Sequence, residues 1–516
     1  MNSCMYKFPS LDLLRENTES YFNEEAIRNI AINIQIYLKE KGFSAILTNY
    51  YAGPIFTIFD CYVENEVSNW DMNKMSEELK NVLDVKDVFI YQSNRKEMLG
   101  IRILNEQREE VCLREIIDTE KYIKSNFQVP MAMGKDMFGE IVVEEVHNLL
   151  IIGAKSEGKT TCINSFLISV LYSKLPSEVK LMLLDYKGQL NIYNNIPHLL
   201  TEVVSEGNKM IGALNWAIFE INKRNQVLAN CGVNSITNYN EMVELTNNQN
   251  QDNIEMMPYI VIVIDDLDDV IDKYGEDVYR LINRLIDKGE NTGIYIVAAV
   301  QDVALKKIPD LINIFESKII LKSSLDKNEL DMIGVSEEFD MLGKGDGLFV
   351  SQLLNKCLRV QCCNVVQEEC VNVTNYLIAN SKGNVRDEET KTGDSLYVNR
   401  IDEFVIQAGY FIIEKNSVSV GLIQRLFKIG YKRASTILNV LQQLGVIDDF
   451  QDGKTPKIIM TIDEYKDLVT GLVSGVYKYP ELEEEHSAIN HLDINDIEAI
   501  KPEFNFSYPK EAPKNN

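Results

Sequence analysis

The sequence predicts an α/β chain with a doubly wound sheet at its centre, a mixed α/β module before it and a small helix-rich module after it. Three observations predict this. Short apolar runs at residues 149–152, 179–184, 259–264 and 294–300 alternate with helical patterns, as buried parallel strands do. The first run leads into a glycine-rich turn that opens a helix. Residues 381–395 (SKGNVRDEETKTGDS) lack a hydrophobic pattern and read as a linker to a last globular segment.

The chain's 516 residues exceed what one hydrophobic core organises, so several domains are expected. Residues 1–128 read as the first module, with a helix at 24–41 stopped by Gly42, a strand at 54–63, a helix at 73–83 and strands at 88–91 and 100–103. Residues 129–380 form the longest unit. Residues 396–460 are compact and helical with a β-wing at the end, and 461–516 form an acidic, partly disordered tail.

The nine cysteines are odd in number and scattered, which argues for a reducing compartment rather than a disulfide framework. Those from Cys357 to Cys370 lack a CxxC pair and lie in an alternating stretch, which favours a buried strand over a zinc site. The apolar runs fall far short of the ~20 residues of a membrane span, so a cytoplasmic chain is expected. The net charge of −26 reads as solubility; it leaves room for a local basic surface but is not that of a simple nucleic-acid binder.

Residues 153–160, GAKSEGKT, match GxxxxGK[ST] between a strand and a helix. Glycines let backbone N–H groups turn inward around phosphates, and the helix N-terminus adds partial positive charge. Gly153, Ala154, Lys155, Ser156, Glu157, Gly158, Lys159, Thr160 and Thr161 are therefore the expected nucleotide-binding residues, with ATP and Mg²⁺ as cofactors. Lys159 should reach the β- and γ-phosphates, and the Thr160 hydroxyl should bind Mg²⁺. In residues 259–266, YIVIVIDD, an apolar strand ends in carboxylates: Asp265 for the metal shell and Asp266 to orient or activate the attacking water. Gln301, ending the run IVAAVQ, sits where a γ-phosphate sensor would; the alternative is a solvated loop glutamine. The fold class is a RecA-like P-loop NTPase motor domain.

In the C-terminal module, a helix at 417–427, a turn at 429–431 and a helix at 432–444 have helix-turn-helix spacing within a winged-helix domain. Gln424, Arg425, Lys428, Lys432, Arg433 and Asn439 would supply donors to phosphates and base edges; the alternative is a helical pair with solvated charges.

These residues, with 185–187 (DYK), 196–200 (IPHLL), Trp216 in LNWAIFEINKR and 342–349 (LGKGDGLF), resemble the FtsK/SpoIIIE motor. FPSLDLL at 8–14, GPIFT at 53–57, VCLREIID at 111–118 and 132–136 resemble that family's α module, and 423–446 its γ module. The resemblance implies an ATP-driven double-stranded DNA translocase working as a hexameric ring, with a winged helix that reads orienting sequences. It also implies a homologue of anchored proteins that here begins at the α module, with docking to a membrane or mobile-element partner left open.

Several positions depart from the family pattern. Asp265-Asp266 stands where the family has Asp-Glu, and a shift of ~1 Å in a reacting group can cost ~10²-fold in rate. Val300 and Asp302 replace a Thr and an Arg, and Glu290 replaces an Arg, while Arg284 and Lys288 are retained. Arg224 matches a family arginine and is the expected trans-acting finger. The departures imply slowed or retuned hydrolysis, which keeps open an ATP-binding scaffold protein; a related secretion ATPase that moves proteins is the third reading.

Overall fold

The computed structural model describes residues 6–17, 24–64, 71–92, 98–250, 254–305, 310–325, 330, 335, 341–352, 354–381, 403–427, 430–448, 456–462, 464 and 465. They divide into two compact units, one within residues 1–386 and one within 387–502. The expected linker beyond Ser381 and the acidic tail beyond Tyr465 lie outside the described residues.

The first unit opens with a four-stranded antiparallel sheet in the order β1-β2-β4-β3, formed by β1 (Ala45–Ala52), β2 (Phe56–Val63), β3 (Val88–Gln92) and β4 (Met98–Leu104). Helices α1 (Glu24–Glu40) and α2 (Met72–Leu83) cover one face. Their buried stripe, Ile34, Leu38, Met75 and Leu79, packs with Phe59, Ile90 and Ile101 into a core of its own. Strand β1 escapes the sequence pattern because it is an edge strand: its side chains are half-buried or exposed and do not alternate cleanly.

The helices α3 (Leu113–Ile117) and α4 (Glu120–Ile123) follow. A division at residue 128 would run through one core, since Leu14, Val111, Leu113, Ile116 and Tyr122 pack with the central sheet's residues. The physical joint lies near 105–110. It is closed by Phe56, whose ring lies between the guanidinium groups of Arg102 and Arg359, each 4.8 Å from its centroid. Gly53 permits the close approach there, because a Cβ would sit 2.1 Å from the Met137 carbonyl oxygen.

The central sheet has nine strands in the order β6-β5-β13-β12-β11-β7-β10-β9-β8. Its parallel half is β7 (Leu149–Gly153), β8 (Val179–Asp185), β9 (Tyr259–Asp265), β10 (Ile294–Gln301) and β11 (Ser317–Leu321). All five are buried nearly throughout, which explains their unbroken apolar runs. The antiparallel half is β5 (Pro130–Asp136), β6 (Ile141–Glu145), β12 (Asp346–Ser351) and β13 (Lys356–Cys362). The sheet is therefore mixed, and the doubly wound part is its parallel half. The alternating stretch that holds Cys357 and Cys362 is β13, and no group of three or more His, Cys, Asp or Glu is placed to hold a metal among the described residues.

Helix α5 (Lys159–Ser173) is buried along most of its length against the sheet, with Phe166 fully enclosed, which stabilises this packing by about 1.5–3 kcal/mol. The helices α6 (Gly207–Cys231), α7 (Ile236–Asn250), α8 (Leu267–Tyr274) and α9 (Glu276–Gly289) occupy the crossovers between β8, β9 and β10. The short α10 (Asp302–Leu305) and α11 (Leu311–Ile314) and the helix α12 (Gln367–Ser381) complete the unit.

The second unit holds α13 (Glu403–Lys415), α14 (Val420–Phe427) and α15 (Tyr431–Gln443) around Ala408, Ile412, Ile423, Ile437 and Leu441. An antiparallel bridge between Ile447 and Ile458 starts the wing. No helix among the described residues is long and apolar enough to cross a membrane.

Candidate active site

The parallel strands end together on one edge, where ligands of such sheets bind. The register places Gly153 beside Gln301, and Asp185 beside Asp265. The turn after β7 reverses through Ser156 and Gly158, both with positive φ, and Gly158 caps α5. Lys159 is buried and folds back over this loop, donating to the carbonyl oxygens of Gly153 at 3.0 Å and Ala154 at 2.9 Å. Burial lowers its ammonium pKa, and the carboxylates of Asp266, Asp268 and Asp265 counter that pull. The charge thus sits at the centre of the loop, at the N-terminus of a 15-residue helix.

Thr160 donates its hydroxyl proton to Asp265 Oδ2 at 2.9 Å, joining two segments more than a hundred residues apart. Burial, then the neighbouring Asp266 charge, pushes the Asp265 carboxyl up to about 6, against the Thr160 hydrogen bond. A hydroxyl and a carboxylate held together are hard oxygen donors, and a buried carboxylate raised in this way is the group that a divalent cation would stabilise.

Asp266 adopts the left-handed conformation, φ 54° and ψ 53°, unusual outside glycine but tolerated by aspartate. That turn lifts its side chain out of the strand, and Lys187 Nζ holds it at 2.8 Å. Lys187 is itself positioned by Asp185, which is buried and accepts from the backbone N–H groups of Lys187 at 2.9 Å and Leu190 at 2.6 Å. The sequence reading gave Lys187 no role. Its signal was its place just beyond the carboxyl end of β8, beside the strand that carries Asp266. Gln301 closes the strand next to the loop and donates its backbone N–H to Asp268 Oδ1 at 3.2 Å, leaving its side chain half-buried at the site's edge.

Arg224 does not join this group. Its side chain is fully buried, its Nε donates to Glu220 at 3.0 Å and its Nη1 to the Thr292 carbonyl at 2.8 Å. The expectation of a trans-acting finger is corrected on that ground: a guanidinium enclosed within its own subunit cannot reach a neighbour's phosphate, and it braces α6 against the turn before β10. Arg284 and Lys288, four residues apart on α9, are exposed.

In the second unit, Arg425 and Asn439 are exposed and Gln424 is half-buried. Lys428 lies outside the described residues, as do the side chains of Lys432 and Arg433, whose backbone opens α15. Gly430 gives the break between α14 and α15 that a helix-turn-helix needs.

Three family models match in the order in which the structure sets its parts: the FtsK alpha domain at residues 8–105, the FtsK/SpoIIIE family at 112–305 and the FtsK gamma domain at 399–461. The DNA translocase FtsK of Clostridium tetani is 32% identical over 471 residues, covering 88% of this chain and 62% of that protein. The DNA translocase FtsK of Caldanaerobacter subterraneus is 33% identical over 477 residues, covering 90% and 65%. The DNA translocase SpoIIIE of Bacillus subtilis is 28% identical over 476 residues, covering 90% and 60%. The chain thus spans less than two thirds of the length of these relatives. With an N-terminal module, a P-loop sheet whose Thr160 meets Asp265, and a helix-turn-helix unit in the same order as those models, the chain belongs to the FtsK/SpoIIIE family.

Proposed function

We propose that this chain is an ATP-dependent double-stranded DNA translocase, acting in the cytoplasm as a hexameric ring. The observation that carries the reading is the Thr160–Asp265 contact at 2.9 Å within a chain whose three parts match the alpha, motor and gamma models of one family. The relatives are named as DNA translocases, which supports DNA as the substrate.

In this reading Lys159 turns from the loop carbonyls to the β- and γ-phosphates, and Gln301 lies beside the γ-phosphate. Thr160 and Asp265 would hold Mg²⁺, which would supply positive charge to offset that of the phosphates. Asp266 orients the attacking water while Lys187 fixes the direction of its carboxylate. With Arg224 enclosed, Arg284 and Lys288 are exposed cations on α9 that can meet a neighbour's nucleotide. The second unit reads DNA sequence through Gln424, Arg425, Lys428, Lys432, Arg433 and Asn439.

The test is ATP hydrolysis by the purified chain with and without linear duplex DNA. A several-fold stimulation is expected. Hydrolysis indifferent to duplex would point to the ATP-binding scaffold reading, which the shortened carboxylate of Asp266 favours, or to a protein-moving ATPase.

A further inference from the structure

Strand β7, which feeds the phosphate loop, lies between β10 and β11. Its last residue, Gly153, pairs with Gln301 on one side, and Ile152 pairs with Ile320 on the other. The chain therefore leaves β10 at Asp302 and β11 at Lys322 on either side of that loop. Asp302 joins the two sides. Its Oδ2 accepts from the Ser324 N–H at 2.5 Å, and its Oδ1 accepts from the Val303 N–H at 2.9 Å. Just before Ser324, the Lys322 carbonyl accepts from the Ala154 N–H of the phosphate loop at 2.9 Å.

Asp302 is only 3% exposed. Burial would raise its pKa, but the bonds from Ser324 and Val303 and the charge of Lys159 outweigh burial and lower it. The group is thus a carboxylate, and N–H bonds to a carboxylate are roughly twice as strong as neutral ones. A local turn into the four-residue α10 calls for the Val303 contact alone. The contact with Ser324, 22 residues away, does something else: it ties the end of β10 to the segment that also holds the phosphate loop. Gln301 then stands between two carboxylate clamps, Asp268 on its own N–H and Asp302 on the next residue.

We infer that Asp302 is a positioning residue for ATP hydrolysis: its contact with Ser324 straps β10 to the phosphate-loop side of the site and so fixes Gln301 against the γ-phosphate. The inference rests on the nucleotide reading of the site and adds to it a residue that acts through Gln301.

The experiment is single-turnover ATP hydrolysis and ADP binding by the full chain with magnesium, for wild type, Asp302→Ala, Asp302→Ser, Gln301→Ala and the Asp302→Ala/Gln301→Ala double variant. Asp302→Ala should slow hydrolysis about tenfold or more while ADP affinity stays within about threefold, because ADP lacks the phosphate that Gln301 meets. Asp302→Ser keeps an acceptor for the Val303 N–H but is too short to hold Ser324 as well, so it should be as slow as Asp302→Ala. With Gln301 already removed, Asp302→Ala should slow hydrolysis by less than about a further threefold. If Asp302→Ala does not fold, Ser324→Pro decides: Ser324 is exposed, and proline removes its N–H donor, so the same loss of rate is expected. A wild-type rate in Asp302→Ser would reduce Asp302 to a local cap and overturn the inference. Equal losses of ADP affinity and rate would overturn it too, as would a full tenfold loss in the Gln301→Ala background. A wild-type rate in Gln301→Ala would remove the residue through which Asp302 acts, with the same result. Failure of wild type to bind ADP or hydrolyse ATP would instead overturn the nucleotide reading beneath it.

Discussion

Lys187 Nζ lies 2.8 Å from Asp266 Oδ2 and 3.1 Å from Asp269 Oδ2, so the carboxylate that follows β9 is held from the end of the neighbouring strand β8. Burial opposes the ammonium's charge, but the hydrogen bonds to Asp266 and Asp269 outweigh it and raise its pKa, keeping it protonated at neutral pH. Without Lys187 the three carboxylates Asp265, Asp266 and Asp269 repel one another and Asp266 loses its direction. Lys187→Met should slow single-turnover hydrolysis by about 10-fold or more while ATP affinity stays within about threefold. Hydrolysis at the wild-type rate would show that the pair does not align the carboxylate.

Lys159→Ala should abolish nucleotide turnover and leave the fold intact, because the side chain stabilises phosphate charge and, among the described residues, its hydrogen bonds go to its own loop. A pure variant with the wild-type circular dichroism spectrum and undiminished turnover would remove the phosphate site from the mechanism.

Asp266→Glu should keep or raise the rate, since the longer side chain returns the carboxylate to the reach typical of the family. Asp266→Asn should lower it by ~10²-fold or more. Asparagine tolerates the left-handed backbone as aspartate does, so the comparison isolates charge from conformation. Equal rates for Asn and wild type would deny Asp266 any part in catalysis.

His198 supplies a pH test of stability. Burial lowers its pKa to about 4; the Lys174 carbonyl, which accepts from Nε2 at 2.9 Å, opposes this, and Lys180 adds to it. The folded pKa lies below the unfolded value of about 6.5, so the unfolded chain binds the extra proton between those values. The stability is present above about pH 6.5 and is lost as pH falls towards 4. Between pH 7.5 and 5 wild type should lose about 2 kcal/mol more than His198→Leu in urea unfolding, following the linkage relation. Parallel losses would mean that the imidazole titrates normally.

Removing residues 396–516 should leave nonspecific DNA-stimulated hydrolysis in place and erase any preference among duplex sequences. Arg433→Ala should weaken a preferred site by about 1–3 kcal/mol if the residue contacts a base. If it contacts phosphate alone, the loss should be uniform and the salt slope should fall by about one. Residues 396–460 should bind duplex unaided at low salt; a folded segment that binds none would be a protein-docking module.

The sequence disclosed what depends on local pattern. The strands β7, β8, β9 and β10 are buried on both faces, so their apolar runs stood out, and the spacing of the phosphate loop is fixed by the turn it makes. The partnership of Thr160 with Asp265 followed from motif chemistry. What the sequence hid is set by tertiary context. Strand β1 lies at an edge, with no alternation to find. The antiparallel strand β5 joins the central sheet by pairing with β13, far away in the sequence, and β6 follows it as a local hairpin partner. Burial of Arg224 against Glu220 has no sequence signature, because an arginine on a long helix reads equally well as exposed. Lys187 acquires its role only when β8 is laid beside β9.

The most direct measurement of the central claim is displacement of a triplex-forming oligonucleotide from linear duplex DNA by the full chain, with ATP and magnesium. Directional movement along duplex predicts displacement that requires hydrolysable ATP, lengthens in delay as the triplex is placed farther from the loading end, and disappears in Lys159→Ala. Duplex-stimulated hydrolysis without displacement at any triplex position would contradict translocation and leave a DNA-dependent ATPase that does not move.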